Sequence, residues 1–175
     1  MKKLLALGAS TSSKSINRKF ANYAAGLGGG AEVTDLDLSR YSLPIFSSDE
    51  EEVNGVPAGA QEFLDTIRAH DAVVVSMAEH NGSYTAAFKN LYDWTSRIEY
   101  EVWAGKPMLL LATSPGARGG ATVLAAAEAT FPRMGASSVT TFSLPSFYDN
   151  FDDEKGVTDE ALAAGLATAV EAFRS

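Results

Sequence analysis

Three short polar segments carry the residue types that could do chemistry. The first, loop one (residues 9–17), is rich in hydroxyl groups and precedes a run with helical spacing. Open backbone N–H groups at a helix start, together with the helix dipole, favour an anion. We therefore predict a site for a terminal phosphate monoester, although the same hydroxyls can simply cap the helix. The candidate residues are Ser10, Ser12, Ser13, Ser15, Ile16 and Asn17.

Loop two (residues 78–82) follows an apolar run and ends in a glycine. Gly82 permits a flat ring to approach the backbone closely. His80 can stack on such a ring or donate to its edge, or it can simply be exposed. Glu79 can act as a base, or it can organise the backbone of the loop. The candidate residues are Ala78, Glu79, His80, Asn81 and Gly82.

Loop three (residues 114–120) contains three glycines and a serine. Backbone donors in such a loop can approach a ligand without a side-chain clash. Arg118 can reach a phosphate or stack on a ring, which makes it a candidate NAD(P)H contact. The alternative is that the glycines only make the turn before the next helix. The other candidate residues are Ser114, Pro115, Gly116 and Gly119.

Each of these loops follows a predicted strand and precedes a predicted helix. Apolar runs predict strands over residues 2–8, 31–37, 71–77, 107–113 and 137–142. Apolar residues at helical spacing predict helices over 16–27, from Pro57 to Ile67, over 83–97, from Val123 to Phe131, and from a cap at Thr158 to the end. Pro57 is predicted to be the first residue of its helix, and Gly28, Gly29 and Gly30 to end the first helix.

Five βα units in a row predict one domain over residues 1–175, an α/β fold with a parallel sheet covered by helices on both faces. Among five-stranded arrangements we predict the flavodoxin-like, doubly wound order 2-1-3-4-5. Ligands of such sheets bind at the carboxyl ends of the strands. The three loops share that rim, so we expect a mononucleotide with its phosphate in loop one and its ring between loops two and three.

Three connections are long. Residues 38–56 are predicted to be irregular, serving as a lid, an interface loop or a solvated tether. Residues 98–106 link two units, with Tyr100 and Trp103 expected to anchor the link. Residues 143–156 form a long loop with aromatic and acidic residues.

Composition excludes several function classes. The 175 residues carry a formal charge of -8, so neither nucleic acid nor an anionic membrane surface is an expected partner. There is no cysteine and there are only two histidines, which excludes thiol catalysis, disulfides and cysteine or multi-histidine metal sites. No apolar run approaches the roughly 20 residues that cross a bilayer. The apolar start over residues 1–10 is too short for a signal peptide, so we expect a cytoplasmic protein.

The sequence resembles the NAD(P)H-dependent FMN reductase family, which includes quinone and chromate reductases. Three groups of residues carry the resemblance, in the right order over most of the chain. They are residues 8–10 with 15–18, residues 79–83 with 88–90 and 93–94, and residues 114–116 with 119–120. The middle group is the most specific, because Lys89-Asn90 and Asp93-Trp94 follow the loop at fixed spacing.

The resemblance implies a flavodoxin-like fold with bound FMN and NADPH or NADH as the electron donor. Ser10, Ser15 and Asn17 are then expected to hold the phosphate. The residues from Glu79 to Gly82 are expected to line the isoalloxazine, and Ser114 and Gly116 its opposite edge. The implied reaction is a ping-pong transfer of hydride to flavin N5 and then to a small acceptor such as a flavin or a quinone, with no protein nucleophile.

Two positions depart from the family pattern. Many members carry Pro-Glu-Tyr-Asn where this chain has Ala78, Glu79, His80 and Asn81. Many carry arginine where Ser12 stands. These departures bear on how tightly FMN is held, on the stacking of the ring and on the preference for NADPH.

Two other functions suit the same fold. One is a flavodoxin-type carrier that passes single electrons to a protein partner without oxidising NAD(P)H directly. The other is a flavin-free binding or regulatory domain. Stepwise reduction separates the enzyme from the carrier, and a colourless protein unable to retain FMN indicates the third function.

A homodimer or homotetramer is also expected. The family usually assembles in this way, and Tyr84, Tyr92 and Trp94 surround the third predicted helix. Aromatic residues in such positions are commonly interface anchors, and the alternative is ordinary packing within the chain.

Overall fold

A five-stranded parallel sheet forms the centre of the molecule. The computed structural model describes residues 2–27 and 29–175, and all statements below concern these residues. The sheet strands are β1 (Lys3–Gly8), β2 (Glu32–Leu36), β3 (Ala72–Met77), β6 (Pro107–Thr113) and β7 (Ser138–Leu144). Their spatial order is β2-β1-β3-β6-β7, and every pair is parallel. This confirms the predicted flavodoxin-like order.

Two small antiparallel ladders lie outside the sheet. They pair β4 (Glu79–His80) with β5 (Ser83–Tyr84) and β8 (Phe151–Asp152) with β9 (Gly156–Val157). The helices are α1 (Ile16–Gly26), α2 (Ser48–Asn54), α3 (Ala58–Arg68), α4 (Ala86–Ile98), α5 (Ala121–Thr130), α6 (Phe147–Asn150) and α7 (Glu160–Arg174). Short 3-10 turns occupy Leu38–Arg40 and Phe131–Met134.

Alternation along the strands divides the apolar residues into two cores, one on each face of the sheet. Leu5 and Leu7 join the core that includes Phe63 of α3 and Phe88 of α4. Leu4 and Ala6 join the core that includes α1 and α7. Because side chains alternate across a strand, the continuous apolar runs seen in the sequence are what a sheet buried on both faces requires.

The helices that flank β1 set the switch point of the sheet. The first helix, α1, packs on one face, and α3 and α4 pack on the other. The connections from β1 and from β3 therefore leave in opposite directions, which opens a crevice at their carboxyl ends. A Cβ on Gly8 would clash with the backbone nitrogen of Arg18, so only glycine lets the start of α1 pack so closely on the end of β1.

The segment 38–56 is more regular than predicted. It contains the 3-10 turn Leu38–Arg40 and the helix α2, and the acidic run falls in the first turn of α2. The side chain of Ser47 accepts a hydrogen bond from the Glu50 N–H, which caps this helix. The prediction of an irregular segment was wrong because negative charges near a helix N-terminus stabilise a helix that buries none of its own residues.

Three predicted helix starts were also wrong by one to three residues. Pro57 is the N-cap of α3 rather than its first residue. Asp159, not Thr158, caps α7 by accepting from the Leu162 N–H at 2.9 Å. The helix predicted over 83–97 begins at Ala86, because Ser83 and Tyr84 pair with loop two instead and Thr85 is the N-cap.

Aromatic side chains near α4 pack within the chain. Trp94 is fully buried and Tyr92 is 6% exposed, so these two follow the alternative of ordinary packing within the chain, while Tyr84 is half-buried. Trp103 is fully buried as expected, but Tyr100 is 61% exposed and anchors nothing in the link. The predicted stop at Gly28 and the residue Met1 lie outside the described residues. Within residues 2–27 and 29–175, no helix is both long and apolar enough to pass through a bilayer.

Candidate functional site

Loop one folds into a tight turn that is held by hydrogen bonds within the loop. The Ser10 Oγ accepts from the Ser12 N–H at 3.2 Å, and the Ser12 Oγ accepts from the Lys14 N–H at 3.3 Å. Ser15 is the N-cap of α1, and its Oγ accepts from the Arg18 N–H at 3.1 Å. The N–H groups of Ile16 and Asn17 in the same first turn are left for a ligand or water.

The side chain of Asn17 is buried and ties helix α1 to two strands of the sheet. Its Oδ1 accepts from the Ser76 hydroxyl at 2.7 Å and from the Thr113 N–H at 3.2 Å. Its Nδ2 donates to the Thr113 carbonyl at 3.2 Å. The amide therefore locks the start of α1 to β3 and β6. The side-chain amide of Asn17 is therefore committed to these partners, which leaves its backbone N–H as the group open to a ligand.

Thr85 connects loop one to helix α4. Its hydroxyl donates to the Ala9 carbonyl at 2.8 Å and accepts from the Phe88 N–H at 3.3 Å. The side chain is buried, so this bond is shielded from water. The cap of α4 is thus fixed to the turn that follows β1.

Loop two is the tip of a two-residue β-hairpin. Glu79 pairs with Tyr84, and His80 pairs with Ser83. Asn81 and Gly82 form the turn with φ values of 53° and 75°. These positive values are typical of an Asn-Gly type I′ turn, whose twist matches that of the flanking strands. His80 is exposed on this hairpin.

The carboxylate of Glu79 caps a helix that belongs to a different loop. Its Oε2 accepts from the Val123 N–H of α5 at 2.9 Å. Gly120, the N-cap of α5, has a φ of 75° and no side chain to accept such a bond. A carboxylate also complements the positive end of the helix dipole. Glu79 therefore organises the backbone, which is the second of the two roles considered for it.

Loop three is held against the end of β7. The Ser143 hydroxyl donates to the Gly119 carbonyl at 3.0 Å, and the Phe147 N–H donates to the Ser114 carbonyl at 3.0 Å. A Cβ on Gly119 would clash with the Ser143 Oγ, so glycine is required there. A Cβ on Gly116 would meet nothing nearer than the Ser114 Oγ at 4.0 Å, so the backbone of Gly116 borders open space.

Loops two and three approach each other through α5. A Cβ on Gly82 would lie 3.9 Å from the Thr122 methyl group, and Arg118 donates to the Thr122 hydroxyl at 2.8 Å. The hydrogen bond from Val123 to Glu79 joins the same two loops. All three loops predicted from the sequence therefore lie together at the carboxyl ends of β1, β3 and β6.

The cations near loop one differ in their partners. A hollow of about 330 Å³ adjoins the outer side of the loop and is lined by Ser13, Lys14, Ser15, Arg18, Lys19, Asn22 and Asp35. Arg18 is paired with Asp35 and Asp37, and Lys19 with Asp153. Lys14 forms no ion pair within the described part of the chain. It is the rim residue that our sequence reasoning missed, although it lies two positions after Ser12.

The ion pairs of Arg18 shift the titration of their members. Partial burial raises the pKa of the Asp35 carboxyl, but hydrogen bonds from Arg18 and Asn22 lower it further, so the pKa stays below the ordinary value. The hydroxyl and N–H of Ser39, with Arg18, likewise lower the pKa of Asp37. The Asp35 hydrogen bond raises the pKa of Arg18, which therefore keeps its positive charge, and the carboxylates of Asp35 and Asp37 balance that charge.

Asn90 and Trp94 of the Lys-Asn and Asp-Trp pairs on α4 hold the segment that follows β2. Asn90 accepts from the Phe46 N–H and donates to the Pro44 carbonyl, both at 2.9 Å. The Trp94 indole donates to the same carbonyl at 2.7 Å, and its ring contacts Phe46 edge-on at 5.0 Å between centroids. Lys89 and Asp93 pair with each other on the exposed side. These residues position a neighbouring segment, which no pattern in the sequence revealed.

The fold and the rim define a flavodoxin-like α/β protein with a hydroxyl-rich turn and two glycine-containing loops at its switch point. A sequence model of the family described as NADPH-dependent FMN reductase matches residues 2–149. The chain belongs to this family. The confirmed strand order and the three converging loops agree with that membership.

Known relatives support the assignment. A quinone reductase of Escherichia coli K12 is 37% identical over 83 residues, which are 47% of this chain and 44% of that protein. An NAD(P)H-dependent FMN reductase of Pseudomonas aeruginosa is 32% identical over 117 residues, covering 65% and 60%. The matched stretches thus span about half the length of these relatives. The solved structure of FerB, a flavoenzyme NAD(P)H:(acceptor) oxidoreductase of Paracoccus denitrificans, has a TM-score of 0.74 and 29% identity, covering 99% of this chain and 95% of that one.

Proposed function

We propose that this protein is an FMN-dependent NAD(P)H oxidoreductase that reduces a small acceptor such as a quinone or a free flavin. One observation carries the proposal: the phosphate-type turn of loop one and the two glycine-containing loops converge on one crevice. Thr85 and Asn17 fix loop one to its neighbours, and Glu79 joins loops two and three. A mononucleotide with a flat ring is the ligand that this combination suits.

The residues present fit FMN. The open N–H groups of Ile16 and Asn17 and the hydroxyls of Ser10, Ser12, Ser13 and Ser15 would hold the phosphate. Lys14 would supply the positive charge for which many relatives use an arginine at the position of Ser12. Such a charge-assisted bond is about twice as strong as a neutral one.

Gly82 and Gly116 leave room for a flat ring, since a methyl group added to either glycine would have no neighbour closer than 3.9 Å. Residues 78–82 would line one edge of the ring, with His80 at the exposed side. Ser114, Pro115, Gly116 and Gly119 would line the other edge. Arg118, whose side chain is exposed and donates to the Thr122 hydroxyl, would meet the nicotinamide cofactor.

When bound, FMN supplies the two-electron chemistry between a reduced nicotinamide and the acceptor, in a ping-pong sequence. The protein supplies binding, orientation and backbone donors, since preorganised donors stabilise developing charge. No side chain of the chain is required as a nucleophile. The members of the proposed homodimer or homotetramer would each carry such a site, and sizing chromatography that shows only a monomer would count against the assembly.

The function is tested by mixing the purified full chain with FMN and with NADH or NADPH under air. We expect cofactor oxidation that rises with added quinone or flavin. Absence of oxidation with either nicotinamide, across several acceptors, contradicts the proposal. Direct oxidation of the nicotinamide also separates the enzyme from a flavodoxin-type carrier, which requires a separate reductase.

A further inference from the structure

A second hollow lies beside loop one, on the side of α4. Its volume is about 350 Å³, which is within the range of small-molecule sites. Thr11 of loop one forms one end, the segment Ser39 to Ile45 one wall, and the first half of α4 the other wall. None of the residues assigned above to FMN lines it.

The wall formed by the segment after β2 is rigidly built. Asn90 and Trp94 of α4 both donate to the Pro44 carbonyl, and Asn90 also accepts from the Phe46 N–H. On the other side, the missing side chain of Gly59 lets Leu43 pack against α3, where a Cβ would lie 2.9 Å from Leu43 Cδ2. A wall fixed from both sides is preorganised for a ligand.

The lining combines hydroxyl groups with apolar surface. Thr11, Ser39 and Ser42 present hydroxyls, and Leu43, Ala87 and Leu91 present carbon. Ile45 at the mouth is 77% exposed, which is unusual for a side chain of its size. Among the described residues, no lysine, arginine, aspartate or glutamate lines the hollow. The chemistry suits a neutral ligand that has an apolar part and several hydroxyls, and a nucleoside has both.

We propose that this hollow binds the adenosine end of NADH while the nicotinamide end reaches the FMN crevice. The inference rests on the proposed function, since it names where that reaction's electron donor is held. Continuity supports it, because Thr11 belongs to loop one and the Thr85 hydroxyl ties the start of α4 to Ala9 of the same loop. The hollow therefore borders the turn assigned to the flavin phosphate.

The same hollow favours NADH over NADPH, because only NADPH carries a 2′-phosphate on its adenosine. A 2′-phosphate needs a cation, and Arg40, the cation on this wall, is paired with Glu62 and does not line the hollow. A free ribose hydroxyl instead finds a donor and an acceptor in the Ser42 hydroxyl and an acceptor in the Ser39 hydroxyl, which itself donates to Asp37. NADH is thus preferred over NADPH, in contrast to what the family description names.

The test compares two tryptophan substitutions on the same exposed segment. Ser42→Trp fills the hollow, and Ser48→Trp, at the exposed start of α2, does not touch it. With FMN-loaded protein, Ser42→Trp should raise the KM for NADH on the order of tenfold, which corresponds to losing the anchoring contacts of one end of the donor. Ser48→Trp should leave that KM unchanged.

A truncated donor isolates the adenosine contribution. Reduced nicotinamide mononucleotide lacks the adenosine end, so Ser42→Trp should leave its KM equal to that of the unsubstituted chain. Equal KM values for NADH in the Ser42→Trp variant and in the unsubstituted chain would overturn the proposal. If Ser42→Trp raises the KM for 2-methyl-1,4-naphthoquinone and not that for NADH, the hollow belongs to the acceptor. If Ser42→Trp changes the oligomeric state and not the KM for NADH, the hollow belongs to a second copy of the chain. Either result overturns the proposal.

A binding measurement keeps this inference separate from the proposed function. AMP titrated calorimetrically into the full chain, with and without FMN, should bind the unsubstituted protein and the Ser48→Trp variant but not Ser42→Trp. If no NADH is oxidised but AMP binds in this pattern, the activity is wrong and the nucleoside site stands. If NADH is oxidised and AMP binds equally to all three proteins or to none, the site is wrong and the activity stands.

The donor preference has its own test. The KM for NADPH should exceed that for NADH on the order of tenfold, and Ser39→Arg should narrow the difference by supplying a cation. A chain that uses NADPH as well as NADH would overturn this part of the proposal.

Discussion

The carboxylate of Glu79 accepts a hydrogen bond from the Val123 N–H at 2.9 Å, so a residue of loop two caps the helix that follows loop three. Gly120 makes the local turn but has no side chain with which to cap. One bond therefore completes a helix terminus and sets the spacing of two loops that flank the crevice. This arrangement makes Glu79 a positioning residue, and its effects can be separated from those of catalysis.

Replacing Glu79 should destabilise the fold through this cap. Glu79→Ala should lower the free energy of unfolding by about 1 kcal/mol, the usual cost of losing an N-terminal cap. Glu79→Gln keeps an acceptor and should cost less. Urea unfolding measures both, with Glu128→Ala, which is exposed in the last turn of α5, as the control. Equal effects of Glu79→Ala and Glu128→Ala would contradict the assigned role.

Lys14 should contribute to the affinity for FMN. Lys14→Gln should raise the Kd for FMN on the order of tenfold, because a charge-assisted bond to the phosphate is lost. Lys14→Arg should retain most of the affinity. The Kd is measured by quenching of flavin fluorescence at low and high salt, and the loss should shrink as salt rises.

The matched control for Lys14 is Lys155→Gln, which changes the net charge by the same amount in an exposed turn. It should leave the Kd for FMN unchanged. If both substitutions weaken binding equally, the effect is one of overall charge and Lys14 does not hold the phosphate.

Replacing two glycines of loop three by alanine should affect the stability of the protein differently. Gly119 has a φ of 57°, and a Cβ there would clash with the Ser143 Oγ and lie 3.0 Å from the Leu144 carbonyl carbon. Gly119→Ala should therefore cost at least about 1–3 kcal/mol of stability. Gly116→Ala enters open space and should leave stability within about 0.5 kcal/mol.

Thermal unfolding measures the stability of both variants, and an FMN titration measures their affinity. Gly116→Ala should weaken FMN binding despite its normal stability, because its methyl group occupies the side open to the ring. Unchanged FMN affinity in a stable Gly116→Ala protein would remove Gly116 from the proposed site.

The Arg18 ion pairs predict a dependence of stability on acid. The pKa of Asp35 lies below its ordinary value of 3.8, so its contribution is present in full above that pH and is lost as the pH falls through the lowered pKa. The difference in unfolding free energy between the unsubstituted chain and Asp35→Asn should therefore shrink below about pH 4. The pair is partly exposed, so the difference at pH 7 should be small.

Urea unfolding from pH 7 to pH 2.5 checks this prediction. Arg18→Gln removes the partner and should show the same convergence with the unsubstituted chain. A difference that persists unchanged to pH 2.5 would mean that these carboxylates do not act through Arg18.

Local patterns in the sequence determined the architecture. The continuous apolar runs at β1, β3 and β6 can be satisfied only by a sheet covered on both faces, and alternation with helices makes that sheet parallel. The three loops could be located for the same reason, since each follows the end of such a strand. Family membership also followed from short motifs that the family model matches over residues 2–149.

Side-chain roles were beyond local patterns because they depend on partners far along the chain. The sequence suggests that the Asn17 amide is free to bind a ligand, yet it is hydrogen-bonded to Ser76 and Thr113, which lie 59 and 96 positions away. Trp94 reads as a surface anchor, yet its indole reaches Pro44, 50 positions earlier. Such pairings arise only when the sheet brings distant segments together.

The sequence alone therefore determined the sheet, its strand order and the rim on which a nucleotide can bind, because burial and periodicity are local properties of the chain. Tertiary structure alone decided that Glu79 caps α5, that Lys14 is free of ion pairs within the described residues, and that α4 and the segment after β2 enclose a hollow. The physical reason is that hydrogen bonds and ion pairs form between residues that are close in space, and the sequence alone does not show which distant residues the fold brings together.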